Sequence, residues 1–212
     1  MAYSLLAHAL GANGGTGTAT ATLNTTGAAL LIAVTTGQGV PGVSDNKGNT
    51  WALVKRTTWN SSHCDIWQTT TTLFGTGHTV SATASVPGLA VLAFAAGAAS
   101  AVDQVAGNGA STVSALAAGS VTPTVANEVV IVAGLVSAAD FVSIDSGFTL
   151  LDHLAGDGAT VFGTASAYQI QTTPTTRNPT WTASLTASTL AASIATFKEV
   201  PATPTGRMFQ VF

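Results

Sequence analysis

The sequence predicts an all-β protein, a single two-sheet antiparallel β-sandwich with an internal pseudo-repeat, and three observations predict it. The first is a corner. Asp45-Asn46-Lys47-Gly48-Asn49 is dense in residues that tolerate left-handed backbone angles and bond back to their own main chain. It launches a strand in which Trp51, Leu53 and Lys55 alternate with Ala52, Val54 and Arg56. The second is composition. Ala and Thr make up about a third of the chain, and charged residues only 7%, against roughly 25% in ordinary globular proteins. Long charged helix formers are therefore scarce, while β-branched residues abound. The third is self-similarity at an offset of 100 or 101 residues.

Taken in order, Leu5-Leu6-Ala7 is a short apolar piece, followed by a flexible turn at Gly11-Ala12-Asn13-Gly14-Gly15. Residues 16–23 alternate Thr with Ala, as a strand with one polar face does. Residues 28–34, AALLIAV, form a continuous apolar run and hence a strand buried on both faces. Gly37 to Gly42 reads as loop, before the Asp45 corner. Residues 63–72 place Cys64, Ile66 and Gln68 opposite Asp65, Trp67 and Thr69. His78 to Ala84 is a strand, Val86-Pro87-Gly88 a tight turn, and Leu89 to Phe94 a buried strand. Residues 95–123, mostly Ala, Gly, Ser and Thr, read as a long connection with one or two edge strands.

The first half then replays. Residues 128–133 answer 29–34, and Asp145-Ser146-Gly147-Phe148 answers the Asp45 corner with a shorter turn. Tyr168 answers Trp67, Thr180 answers Thr79, and Leu190 answers Leu89. Two five-strand halves, residues 27–98 and 127–198, face one another in one jelly-roll-like domain spanning 1–200. Residues 201–212 form a C-terminal arm in which two prolines precede an alternating apolar hexapeptide.

Bulk properties exclude several functions. With a net charge of −3 and Lys55-Arg56 as the only adjacent basic pair, the chain has no stripe for nucleic-acid phosphates. The longest apolar stretch, residues 87–102, is shorter than the roughly 20 residues a membrane span needs. The first ten residues carry no basic residue, so no secretory signal is expected. A single cysteine, Cys64, allows neither an internal disulfide nor a cysteine-based zinc site. No cofactor is expected.

Several segments resemble a family of β-sandwich domains in phage particle proteins and bacterial surface proteins. One is a "D-x-x-G-N-T-[WY]" turn, matched by Asp45, Gly48, Asn49, Thr50 and Trp51. Another is a "T-x-x-A-N-[ED]-[LV]-V" strand opening, matched by Thr124, Ala126, Asn127, Glu128, Val129 and Val130 with tighter spacing. The resemblance covers about residues 8 to 198 and leaves out the arm. It implies a virion structural protein, most of all a capsid decoration or cement protein on the capsid surface. Its implied partners are the major capsid protein and its own copies, as a homotrimer. The alternative it leaves is a glycan- or receptor-binding adhesion module of a tail fibre or cell surface.

The chemistry-bearing residues read mostly as structure, and no enzyme is expected. Asp45 and Asn49 lack the carboxylates and terminal bidentate Glu of a calcium loop. His63, Cys64 and Asp65 alternate faces on a strand, so they do not converge as a nucleophile, base and orienter. Asp152, His153 and Asp157 fall in a hairpin connection. Trp59, Trp67, Tyr168 and Trp181 are either core fillers or a sugar-stacking platform. The arm is the expected partner-binding element, through Arg207, Met208, Phe209, Val211 and Phe212.

Overall fold

The computed structural model describes residues 3–12, 17–69, 73–96, 99–157 and 161–200. Every regular element among them is a strand, and all strand pairing is antiparallel. The strands are β1 (Ser4–Ala12), β2 (Gly17–Leu23), β3 (Leu30–Asp45), β4 (Trp51–Trp59), β5 (Ser62–Thr69), β6 (His78–Ala95) and β7 (Ala99–Ala110). They continue as β8 (Val113–Ala117), β9 (Glu128–Val136), β10 (Phe141–Ile144), β11 (Thr149–Leu154), β12 (Gly163–Gln171), β13 (Thr180–Ala187) and β14 (Leu190–Val200). The alternation in β2 holds as predicted: Ala19, Ala21 and Leu23 are buried while Thr18, Thr20 and Thr22 are exposed. The apolar run in β9 is buried at every position.

One large sheet has the order β1-β6-β3-β5-β4, and the other β11-β12-β9-β14-β7. A smaller layer covers the outer face of each. In the second half it is a separate sheet, β10-β13-β8. In the first half it is built by β2 with the first part of β6 and the last part of β3, so these two long strands serve both layers. The stretches read from sequence as a loop at Gly37–Gly42 and a turn at Val86–Gly88 lie inside those strands. Gly37 and Gly39 adopt positive φ, the pairing register shifts on both sides of Gln38, and Val86 takes φ 58° just before Pro87. These irregularities bend a strand round a corner without ending its pairing.

The halves repeat in pairing as well as in sequence. β7 pairs with β14 as β1 does with the last part of β6, and β8 pairs with β13 as β2 does with its first part. Ile32 pairs with Leu92, and Ala133 with Ser193, both partners displaced by 101 residues. Two of the sequence equivalences shift. The main-chain N–H of Asp145 donates to Thr180 as that of Asn46 does to Thr79, so Asp145 occupies the place of Asn46, not of Asp45. Ala33 pairs with Trp67, but its counterpart Gly134 pairs with Ala165, so Tyr168 is not the equivalent of Trp67. A displacement by an odd number of residues turns a strand's side chains to the opposite face, and Tyr168 accordingly points inward.

The two large sheets pack face to face over a core that includes Leu30, Ile32, Ile66, Leu92 and Phe94 from one half and Ile131, Leu135 and Phe197 from the other. Each half also closes a core of its own beneath its small layer. In the first, Leu31, Val91, Val80 and Ala82 meet Ala19 and Leu23; in the second, Val132 and Ile194 meet Leu116, Phe141 and Trp181. The facing is reciprocal. β1 meets β11 and β4 meets β7, while β1 corresponds to β7 and β4 to β11. The halves therefore pack about an approximate two-fold axis, like the subunits of an isologous dimer.

The outer strands of both large sheets are bulged. Leu6 on β1, Val54 on β4 and Leu151 on β11 are each surplus to the partner strand, and on β7 Asp103 and Gln104 together face the single residue Thr196. Bulges at sheet edges twist them away from pairing with other chains. The bulge at Val54 also alters a face predicted from simple alternation: Arg56, not Lys55, shares a side with Trp51 and Leu53.

Candidate functional site

The five residues expected to bind partners, Arg207, Met208, Phe209, Val211 and Phe212, lie outside the described residues. The place from which they depart is well defined. Val200 pairs with Ala99, and the Tyr3 hydroxyl donates to Ser100 Oγ at 2.8 Å, so both ends of the described chain meet at one pole. Burial pushes the Tyr3 hydroxyl up to about 12 against the opposing pull of that bond, and Glu199 and Glu128 add to the rise. Beside it, Asp103 accepts Lys198 Nζ at 2.6 Å and the Thr124 hydroxyl at 2.7 Å. Val125 and Val200 are exposed apolar residues at this pole.

Both motifs behind the family resemblance are hydrogen-bonded turns. Asp45 Oδ1 accepts the main-chain N–H groups of Lys47 at 2.9 Å and Asn49 at 3.1 Å. Its Oδ2 accepts Asn49 Nδ2 at 3.0 Å and Trp51 Nε1 at 2.8 Å. Burial alone would push this carboxyl up, but the four bonds together outweigh it and hold the group below its ordinary value. The buried His78 ring stands behind it, with Nε2 3.4 Å from Oδ2 but poorly aligned, and Nδ1 2.9 Å from the Thr25 hydroxyl. Asn49 then ties the corner to the next loop, donating to Leu73 O and accepting from Leu73 N–H. In the second motif, Glu128 Oε1 accepts the N–H groups of Thr124 and Val125, and Asn127 adopts φ 61°.

His63, Cys64 and Asp65 divide between faces as alternation requires. Cys64 is buried between the large sheets, where burial pushes its thiol far up and out of nucleophilic range. Asp65 lies on the outer face, fully buried, and accepts a fork from Arg56: Nε to Oδ1 at 2.9 Å and Nη2 to Oδ2 at 2.6 Å. Burial raises the Asp65 carboxyl despite this fork. Asp152 and His153, read as part of a hairpin connection, sit instead on β11. Asp152 accepts His8 of β1 at 2.8 Å across the two halves, and His153 pairs with Asp140 at 2.8 Å. Asp157 accepts the main-chain N–H of Val161 within the same loop. Among the described residues no three His, Cys, Asp or Glu side chains gather as metal ligands, and no helix is long and apolar enough to cross a membrane.

The four aromatics proposed as a sugar platform are dispersed. Trp181 is fully buried against Phe141, at a ring distance of 4.9 Å, and donates to Ala133 O. Tyr168 meets Phe94 edge-on between the sheets. Trp59 lies over Gly109 of β7, where a Cβ would come within 2.8 Å of its ring, and donates to Ser111 Oγ. Trp67 stands half-buried on the outer face of its sheet, packing against the first-half core and donating its indole N–H to Thr35 Oγ1 at 3.0 Å. There the outward residues of β5 and β4 pair in successive rows: Trp67 with Leu53, Asp65 with Arg56, and His63 with Thr58. Leu53 is 42% exposed. Sequence alternation put Trp67 on one face with Asp65 and Thr69 without saying which way that face points, and the Val54 bulge that brings Arg56 beside it leaves no mark in the residue pattern. Comparison with protein-family models, curated proteins and solved structures found no match.

Proposed function

We propose that this chain is a structural protein of a phage particle, a decoration or cement protein that clamps onto major capsid subunits and onto its own copies as a homotrimer. The jelly-roll-like reading of the domain belongs to the same proposal. The observation that carries it is the shared pole. Residues 201–212 follow directly on Val200, where the first described strand also starts and where Val125 and Val200 are exposed. An apolar arm leaving a rigid double sandwich beside exposed apolar residues makes a clamp. With so few charges on the chain, its contacts would depend little on salt.

The test is removal of residues 201–212. The described strands contain none of those residues, so the shortened chain is expected to fold with unchanged secondary structure and to lose particle binding. Full occupancy of particles by the shortened chain would defeat the arm reading. Binding that weakens steeply between low and moderate salt would defeat the apolar-contact reading.

A further inference from the structure

The internal duplication acts as a control on the outer face of β4 and β5. Register equates Ala33 with Gly134, so the counterparts of Trp67 and Leu53 are Ala165 and His153. Thr35 equates with Val136, so the counterpart of Asp65 is Gly163. Trp67 alone carries no inference, because its bulk has a structural explanation. In the second half, Phe141 and Trp181 fill the core from the small layer; at the matching places the first half has Val43 and Val80, and Trp67 supplies volume from the opposite wall.

The row beside it has no such explanation. Where the first half has Asp65 with its Arg56 fork, the second has Gly163 packed so closely that a Cβ would fall 2.9 Å from Gly156 N. The scaffold closes without the pair. Holding a carboxylate at zero exposure costs desolvation that the ion pair does not fully recover. It is also a conspicuous use of charge in a chain with six Lys and Arg residues. The next row continues the polarity, with the Thr58 hydroxyl 3.0 Å from His63 Nδ1. The fork leaves the Arg56 Nη1 hydrogens available, and the bond to Thr58 leaves His63 Nε2.

We infer that the face formed by Leu53, Trp67, Arg56, Thr58 and His63 binds a neutral carbohydrate chain. A pyranose ring presents an apolar face of C–H bonds and a rim of hydroxyls that both donate and accept. Trp67 and Leu53 match the first, and Arg56, His63 and Thr58 match the second. The charge argument selects the class. Asp65 already neutralises the guanidinium, so the face offers no net positive charge to a phosphate, sulfate or carboxylate. Residues two apart on a strand are about 6.8 Å apart, so the three rows run along the strands for little more than twice that step and fit a short oligosaccharide. This site is independent of the clamp at the pole.

The experiment titrates the isolated protein with neutral tetrasaccharides of glucose, mannose, galactose and N-acetylglucosamine, following side-chain N–H signals by NMR. At least one sugar is expected to shift the Arg56 Nε–H and Trp67 indole signals saturably at millimolar concentration, leaving the Trp59 and Trp181 indoles in place. Leu53→Glu, at an exposed position, is expected to fold normally and weaken that binding about tenfold or more, a loss of about 1.4 kcal/mol. The inference is overturned if none of the four sugars moves the Arg56 and Trp67 signals, or if the shifts centre on another face. It is equally overturned if Leu53→Glu binds as tightly as the parent chain. Because no particle enters the measurement, either result leaves the clamp reading to its own test.

Discussion

Replacing Asp45 by Asn tests whether the corner is held by its carboxylate. Four donors converge on the two oxygens, at 2.8 to 3.1 Å. An Asn side chain offers one oxygen and one NH2, so in either orientation two of the four donors face another donor. A hydrogen bond to a charged group contributes about 1.5–3 kcal/mol. Losing two, with some relaxation of Asn49 through its bonds to Leu73, gives a cost of about 3 kcal/mol. For a chain of this size, each kcal/mol lowers Tm by roughly 2–4 °C, so calorimetry should show a drop of about 6–12 °C. The acid limb gives a second reading. The Asp45 carboxyl titrates below its ordinary value of 3.8 in the folded state, so its contribution is present above that pH and is lost as pH falls through the lower, folded value. The difference between parent and variant should therefore shrink in acid. A loss under about 1 kcal/mol at neutral pH, or a difference that widens on acidification, would refute the reasoning.

Three further outcomes follow from the geometry. Arg56→Met strands Asp65 at zero exposure and should cost about 3–5 kcal/mol at neutral pH in urea unfolding; the deficit should shrink as pH falls through the raised folded value of Asp65, since its protonated form is then the one favoured by folding. Gly109→Ala places a methyl 2.8 Å from the Trp59 ring and should cost about 1–3 kcal/mol, with a change in Trp59 emission as its indole leaves Ser111. Cys64 should resist thiol reagents in the native protein and react at the rate of global unfolding, because it is buried between the sheets with its thiol pushed up.

What the sequence disclosed was periodic, and what it concealed was irregular. Thr-Ala alternation in β2 and the apolar runs of β3 and β9 follow directly from side-chain direction on a pleated strand. The single-residue events escaped. A bulge at Val54 exchanges Lys55 for Arg56 on the outer face, and nothing in WALVKR marks it. The bends at Gly37–Pro41 and Val86–Pro87 carry the residues of turns, and glycine and proline read alike whether a strand ends or only turns a corner. The equivalence of Tyr168 with Trp67 failed for a related reason: two aromatics in similar polar surroundings align well in sequence, but strand pairing displaces them by three residues. Similarity of residues cannot register a change of face; only pairing can.

The bulged edges bear on how such a block would assemble. A clamp made by adding a strand to a sheet needs an accepting edge that is flat, with main-chain groups in register. The edge strands β1, β4, β7 and β11 each break register within the stretch where a partner would pair. Lys55 and Arg56 on β4, and Asp103 in β7, add charge at or beside those breaks. If residues 201–212 hold one copy to another, then, the receiving surface is a groove or a sheet face and not one of these edges. An accepting edge would have to come from a small layer, such as β2, which pairs with β6 without a break in register, or from a different protein. Mixing tagged and untagged copies without particles separates the cases: self-association that depends on 201–212 requires a receiving surface on this fold, whereas copies that stay monomeric and bind only particles place the receiving surface on the capsid.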